Sequence, residues 1–148
     1  MSAFAEHLAP SILRDLTSFV CAESLGTGMS RLVFVYRPNP KWVIKIEEKG
    51  FQNVLEQYVW SRVHETEFRK WFAPIIDVSP LGTVVLMERT TPARPNEFLK
   101  QMPAFLTDFK RSNYGMLNGR LVCHDYGTNL LTEVGMTKRM RNADWWDA

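Results

Sequence analysis

A chain of 148 residues that is 45% hydrophobic and 23% charged can bury one cooperative core and is too short for two large domains. A formal net charge of +2 is too small to make nucleic acid or an anionic membrane an obligatory partner, and the local cluster Lys138, Arg139 and Arg141 does not change that. Two cysteines, Cys21 and Cys123, lie far apart with neither a Cys-x-x-Cys pair nor a histidine at metal-ligand spacing, which reads as buried thiols in a reducing compartment.

Near the N-terminus Glu6, Arg14 and Asp15 interrupt any apolar run that would serve as a signal segment or span a bilayer, so a cytoplasmic protein with no membrane partner is expected. Leu8, Ile12, Leu13, Leu16 and Phe19 recur at helical intervals and predict an amphipathic helix covering a core face, with Pro10 in its first turn. The period then changes. "RLVFVYR" and "KWVIKIE" are β-rich runs separated by "PNPK", which predicts a hairpin, and the first is preceded by "LGTGMSRLVF" with Gly26 and Gly28 in a turn. On the second run Trp42, Ile44 and Ile46 share one face while Val43 and Lys45 share the other. Such a lysine either guards a sheet edge or reaches into a cleft.

"FQNVLEQYVWSRVHETEF" places Phe51, Leu55, Val59 and Val63 on one stripe of a helix, with Glu56 beside it. Glu56 gains interest only if something cationic faces it. "FAPIIDVS" and "TVVLMER" read as two more strands around a "PLG" turn, and "TTPARP" as a stiff connector. Asn96 then suits the N-cap of a helix over 97–105, with Phe98 and Leu99 as packing residues. Asn118-Gly119 has the chemistry of a two-residue hairpin turn and returns the chain to "HDYG". No serine-hydrolase elbow, P-loop, repeat or heptad is present, and His7, His64 and His124 lack metal-ligand spacing.

The order of glycine-rich turn, strand lysine, helix glutamate, connector, D-x-K-x-x-N and D-aromatic-G resembles the protein-kinase-like fold. "GTGMSRLV" resembles the glycine-rich loop, with Gly26 and Gly28 in the first two glycine places and Val33 in the valine place. "WVIK" resembles the V-A-I-K strand. The resemblance makes Lys45 the phosphate-pairing lysine, Glu56 its helix partner and Val43 the residue above the adenine. "MERT" resembles the hinge, with Met87 as gatekeeper and Glu88 beside it. "DFKRSN" puts Asp108 in the catalytic place, Lys110 two residues later and Asn113 in a metal-binding place, and "DYG" gives Asp125 as the Mg²⁺ ligand. ATP and Mg²⁺ are the cofactors implied, the lysine serving the phosphates and hard oxygen ligands serving the metal.

The implied fold class is α+β, a minimal kinase-like fold with a small antiparallel sheet lobe, one helix in the place of the kinase αC, and a strongly reduced C-lobe. Residues 1–22 form an N-terminal extension and 23–127 the kinase-like domain, divided into sheet lobe 23–87, hinge 88–95 and reduced lobe 96–127; residues 128–148 form a tail. Departures accompany the matches. Arg31 stands in the third glycine place, either to touch phosphate or to hold the loop off it. Gly115 stands where the family sets a large apolar floor, and Leu106-Thr107 replaces the family's His-Arg. The tail "TNLLTEVGMTKRMRNADWWDA" is too short for a substrate platform.

Two functions follow from the resemblance. One is a minimal phosphotransferase acting on a protein or other hydroxyl acceptor. The other is a catalytically silent pseudokinase that engages or inhibits a host protein, since such compactness resembles small phage-encoded proteins. Trp145 and Trp146 are either part of a partner surface or packed back on the domain.

Overall fold

The computed structural model describes residues 8–27 and 30–147, so Gly28 lies outside the described residues. Five antiparallel strands form the main sheet: β1 (Cys21–Thr27), β2 (Arg31–Tyr36), β3 (Trp42–Glu47), β4 (Ile75–Val78) and β5 (Val84–Glu88), in the order β1-β2-β3-β5-β4. The prolines of "PNPK" end β2 and return the chain as β3, with Val33 opposite Lys45. Helix α2 (Gln52–Val63) is inserted between β3 and β4. With Phe51 at its N-cap, α2 has no cap from its own start. Glu47, at the end of β3, caps it instead, accepting from the main-chain N–H of Gln52 at 3.1 Å and of Asn53 at 2.9 Å.

The expected stripe on α2 is half observed. Val59 and Val63 are buried, but Phe51 and Leu55 are exposed, and the inward face continues through Asn53 and Glu56. Positions 53, 56, 59 and 63 share one side of the helix, and on β3 that side meets Lys45. A charged partner therefore overrides the apolar pattern.

Two expectations are corrected. α1 (Pro10–Val20) forms with Pro10 in its first turn, but it buries none of its residues; Ile12, Leu13, Leu16 and Phe19 are all exposed, Phe19 at 75%. It lies against β1 instead of a core face, tied there by Arg37, which donates to the carbonyl oxygens of Ser18 and Cys21. The helix expected over 97–105 is absent. Pro95–Glu97 makes a single 3-10 turn, and β6 (Gln101–Pro103) pairs with β9 (Met140–Asn142) near the C-terminus. Pro103 cannot donate within a helix and clashes with its preceding turn, whereas a strand end accepts it.

β7 (Tyr114–Leu117) and β8 (Arg120–Cys123) form the expected hairpin, with Asn118 and Gly119 at φ 51° and 77°. That is the pair of positive angles a two-residue turn requires. A short α3 (Leu131–Val134) follows. One core joins the sheet to the rest: Val85 and Met87 from β5 are continuous with Phe72, Phe105, Tyr126 and Leu131. Tyr126 packs edge-on against Phe72 at 5.0 Å and donates its hydroxyl to the Ala73 carbonyl at 2.9 Å. Cys21 and Cys123 are both free and buried. Among the described residues no helix is long and apolar enough to cross a membrane.

Candidate functional site

A cleft of about 1250 Å³ separates the five-stranded sheet from the β7–β8 hairpin, with the connector after β5 along its back. Gly26 and Val33 line it from β1 and β2, Val43 and Lys45 from β3, Glu88 from the end of β5, and Lys110, Asn113 and Asp125 from the opposite side. Three of the residues singled out in the sequence are not part of this lining. Met87 is wholly buried in the core, Glu56 is wholly buried behind Lys45 and Arg31, and Asp108 lies outside the cleft wall and is exposed.

Glu56 is the centre of the site. Its Oε1 accepts from Lys45 Nζ at 3.0 Å and from Arg31 Nη1 at 2.8 Å, its Oε2 from Arg31 Nη2 at 3.0 Å and from the Tyr126 main-chain N–H at 3.0 Å. Burial alone would push this carboxyl up, but Lys45 and the Arg31 guanidinium outweigh it and hold it down at about 2. Arg31 completes its set with Asn53 Oδ1 at 3.1 Å and Asp125 Oδ1 at 2.8 Å. Burial works against the Arg31 charge, yet the hydrogen bond and charge of Glu56, with Asp125 behind them, raise its pKa.

Lys45 also donates to the His124 carbonyl. An ammonium has three donors, so the two contacts leave one N–H for the cleft. Asp125 is only half-buried, and burial together with the nearby Glu56 charge raises its carboxyl against the pull of Lys45 and Arg31.

On the far side, Asp108 takes a positive φ of 51°, which aspartate tolerates, and its Oδ2 accepts from Asn113 Nδ2 at 3.0 Å. Its main-chain oxygen accepts from the Lys110 N–H at 2.7 Å. His124 joins the connector to the hairpin. Its Nε2 faces the Ser112 carbonyl at 2.7 Å, so that nitrogen carries the proton and Nδ1 accepts from the Thr90 hydroxyl at 2.7 Å. Burial, then the Lys45 charge, holds His124 down at about 4, in agreement with this neutral form.

The cleft floor has a local cause. The connector crosses β7 in direct contact, Thr91 and Met116 exchanging main-chain hydrogen bonds at 2.9 and 2.7 Å. A Cβ at Gly115 would stand 2.7 Å from Thr90 Cβ and 2.9 Å from the Thr91 carbonyl oxygen, so no side chain fits there.

The structure thus brings Lys45 and Glu56 into an ion pair and places Asn113 and Asp125 on one cleft, but turns the last two to different partners. Asp125 faces Arg31 and Asn113 faces Asp108. Among the described residues no three His, Cys, Asp or Glu side chains gather as a metal site. Of the expected Mg²⁺ ligands, Asp125 holds a guanidinium on its Oδ1, and Asn113 donates its Nδ2 to Asp108 and keeps its Oδ1. Sequence reasoning read Arg31 only as a departure, and missed Asn53 and the Thr90–His124 bridge. A basic residue in a glycine place was the signal available for Arg31; the other two depend on distant segments and leave no local pattern.

No family model matches this chain, and no curated protein matches it. Among solved structures it is similar to the ternary complex of streptomycin, ATP and APH(2″)-IIa, with 14% identity and a TM-score of 0.41. The likeness covers 60% of this chain and 30% of that one. At that identity and score the site has to be read from its own geometry.

Proposed function

We propose that the chain is a minimal kinase-like protein whose cleft takes an ATP-class nucleotide, with transfer of the terminal phosphate to a hydroxyl of a protein or other acceptor as its activity. The buried Lys45–Glu56 pair at 3.0 Å carries this reading. A lysine fixed by a helix glutamate, with one N–H left for the cleft, is the arrangement by which a kinase-like site meets nucleotide phosphates. Val33 and Val43 offer an apolar wall for a base, and Glu88 lies at the back of the same space. Asp108, held by Asn113, is the group to orient an acceptor hydroxyl and take its proton.

A second reading is favoured by one observation. The Arg31–Asp125 contact at 2.8 Å occupies the carboxylate that the resemblance assigns to Mg²⁺, as in a catalytically silent pseudokinase that binds a protein partner. Labelled ATP separates the two. Phosphate transfer that disappears in Asp108→Ala supports the enzyme. Protection of the fold by ATP with neither transfer nor hydrolysis supports the silent form, and no stabilisation by any nucleotide overturns both.

A further inference from the structure

We propose that Arg31 is a built-in cation standing in for a divalent metal, so that the cleft binds a nucleoside triphosphate in its metal-free form. This rests on the nucleotide-cleft reading above and goes beyond it by naming the ionic form of the ligand and the residue that selects it.

A kinase-like site meets triphosphate charge with a lysine and a metal ion bridging a carboxylate to the phosphates. Here the carboxylate is Asp125, and its Oδ1 lies 2.8 Å from Arg31 Nη2. The guanidinium is not a loosely placed surface group. It is 7% exposed, grips both oxygens of Glu56 at 2.8 and 3.0 Å, and donates to Asn53 at 3.1 Å. Four of its five N–H groups are thereby committed, and a planar fork of that kind keeps its charge under all ordinary conditions. A dication on Asp125 would have to detach one arm of this fork or sit beside a fixed positive charge.

Mg²⁺ also demands an almost ideal octahedron of oxygens at about 2.0–2.1 Å; the second expected ligand, Asn113, donates its Nδ2 to Asp108 and keeps its Oδ1, so the obstacle lies at Asp125, whose Oδ1 is taken by the buried guanidinium. The charges within the cluster already balance, Arg31 and Lys45 against Glu56 and Asp125. Phosphate charge then falls to the remaining N–H of Lys45 and to Lys110, whose ammonium lies over the Trp146 ring at 5.7 Å and lines the same cleft. The position explains the substitution. β2 places residue 31 directly against α2 and the turn after β8, where a glycine would leave Glu56 with Lys45 alone and Asp125 without its ion pair to Arg31.

The test is calorimetric titration of the protein with ATP in EDTA and in Mg²⁺, paired with binding of Mn²⁺ read from the loss of its free-ion resonance. Wild type is expected to bind ATP at least about tenfold more tightly in EDTA than in excess Mg²⁺, which withdraws the metal-free form, and to take up no Mn²⁺ alone and none beyond what ATP itself binds. Arg31→Gly is expected to bind ATP at least about tenfold more tightly in Mg²⁺ than in EDTA and to take up Mn²⁺ alongside it. Arg31→Lys, which cannot span Glu56 and Asp125 together, gives the same direction if the glycine variant does not fold. Wild-type binding in Mg²⁺ that equals or exceeds that in EDTA overturns the inference and leaves the nucleotide cleft standing, as does metal-independent binding in both Arg31 variants. No binding in either buffer by any form overturns the cleft and the inference together.

Discussion

Glu56 is a wholly buried carboxylate held by two cations, and this makes the fold acid-sensitive in a calculable direction. Its carboxyl titrates at about 2 in the folded protein against an ordinary 4.5, so the unfolded chain binds the proton first. The stability it contributes is complete above 4.5 and is lost as the pH falls toward 2, a span worth roughly 3 kcal/mol. His124 acts in the adjoining window. Folded it titrates at about 4 against an ordinary 6.5, so unfolding takes up a proton and stability falls as the pH drops from 6.5 to 4. Urea midpoints measured against pH should show both slopes. Glu56→Gln should remove the lower one and His124→Asn the upper, and a profile unchanged by either substitution would contradict the burial assigned to these groups. Removing Arg31 is a different perturbation, because it leaves a buried carboxylate with one cation. Arg31→Ala should cost about 3–5 kcal/mol in the same urea measurement at neutral pH.

Element boundaries were legible where local chemistry decides them. The β2–β3 hairpin follows from "PNPK", the β7–β8 hairpin from Asn118-Gly119, and the existence of α2 from its length and spacing. Elements that depend on a distant partner were not legible. The segment around Gln101 is a strand because β9 reaches it from the far end of the chain, and α2 turns Asn53 and Glu56 inward because Arg31 and Lys45 wait on the sheet. Of the candidate site, the Lys45–Glu56 pairing could be anticipated from residue types and order, whereas the Arg31 clamp joins three separated segments. The exposed helix α1 gives a direct check: Leu16→Ser or Phe19→Ser should shift stability by no more than about 0.5 kcal/mol, since neither side chain is covered. Gly115 gives the opposite check. Gly115→Ala forces the connector off β7 and should cost about 1–3 kcal/mol, part of it recovered in a Thr90→Ala background, which removes the obstructing Thr90 hydroxyl while the Thr90 Cβ and the Thr91 carbonyl remain.

The whole molecule is closed by its C-terminal segment, and the two adjacent tryptophans there have different tasks. Trp145 packs edge-on against Phe98, Phe109 and Tyr114 at 4.9, 5.2 and 4.9 Å and donates its indole N–H to the Leu99 carbonyl at 2.7 Å. Trp146 contributes mainly its backbone, donating to the Phe109 carbonyl at 3.0 Å and accepting from the Arg111 N–H at 2.9 Å, while its ring is 46% exposed over Lys110. The chain between Asp108 and Asn113 is therefore fastened to the tail on both sides of Lys110. Trp145→Ala should lose stability toward the lower end of the about 3–5 kcal/mol typical of buried aromatic truncations, because its ring is only partly covered. Trp146→Ala removes an exposed cation–π contact worth about 0.5–1 kcal/mol and leaves the two main-chain bonds in place. If the tail positions this side of the cleft, Trp145→Ala should also weaken ATP binding, whereas Trp146→Ala should leave it within about twofold. The reverse order, with Trp146→Ala the more damaging to ATP binding and Trp145→Ala neutral in stability, would show that the exposed ring belongs to the ligand site and that the tail does not hold the fold together.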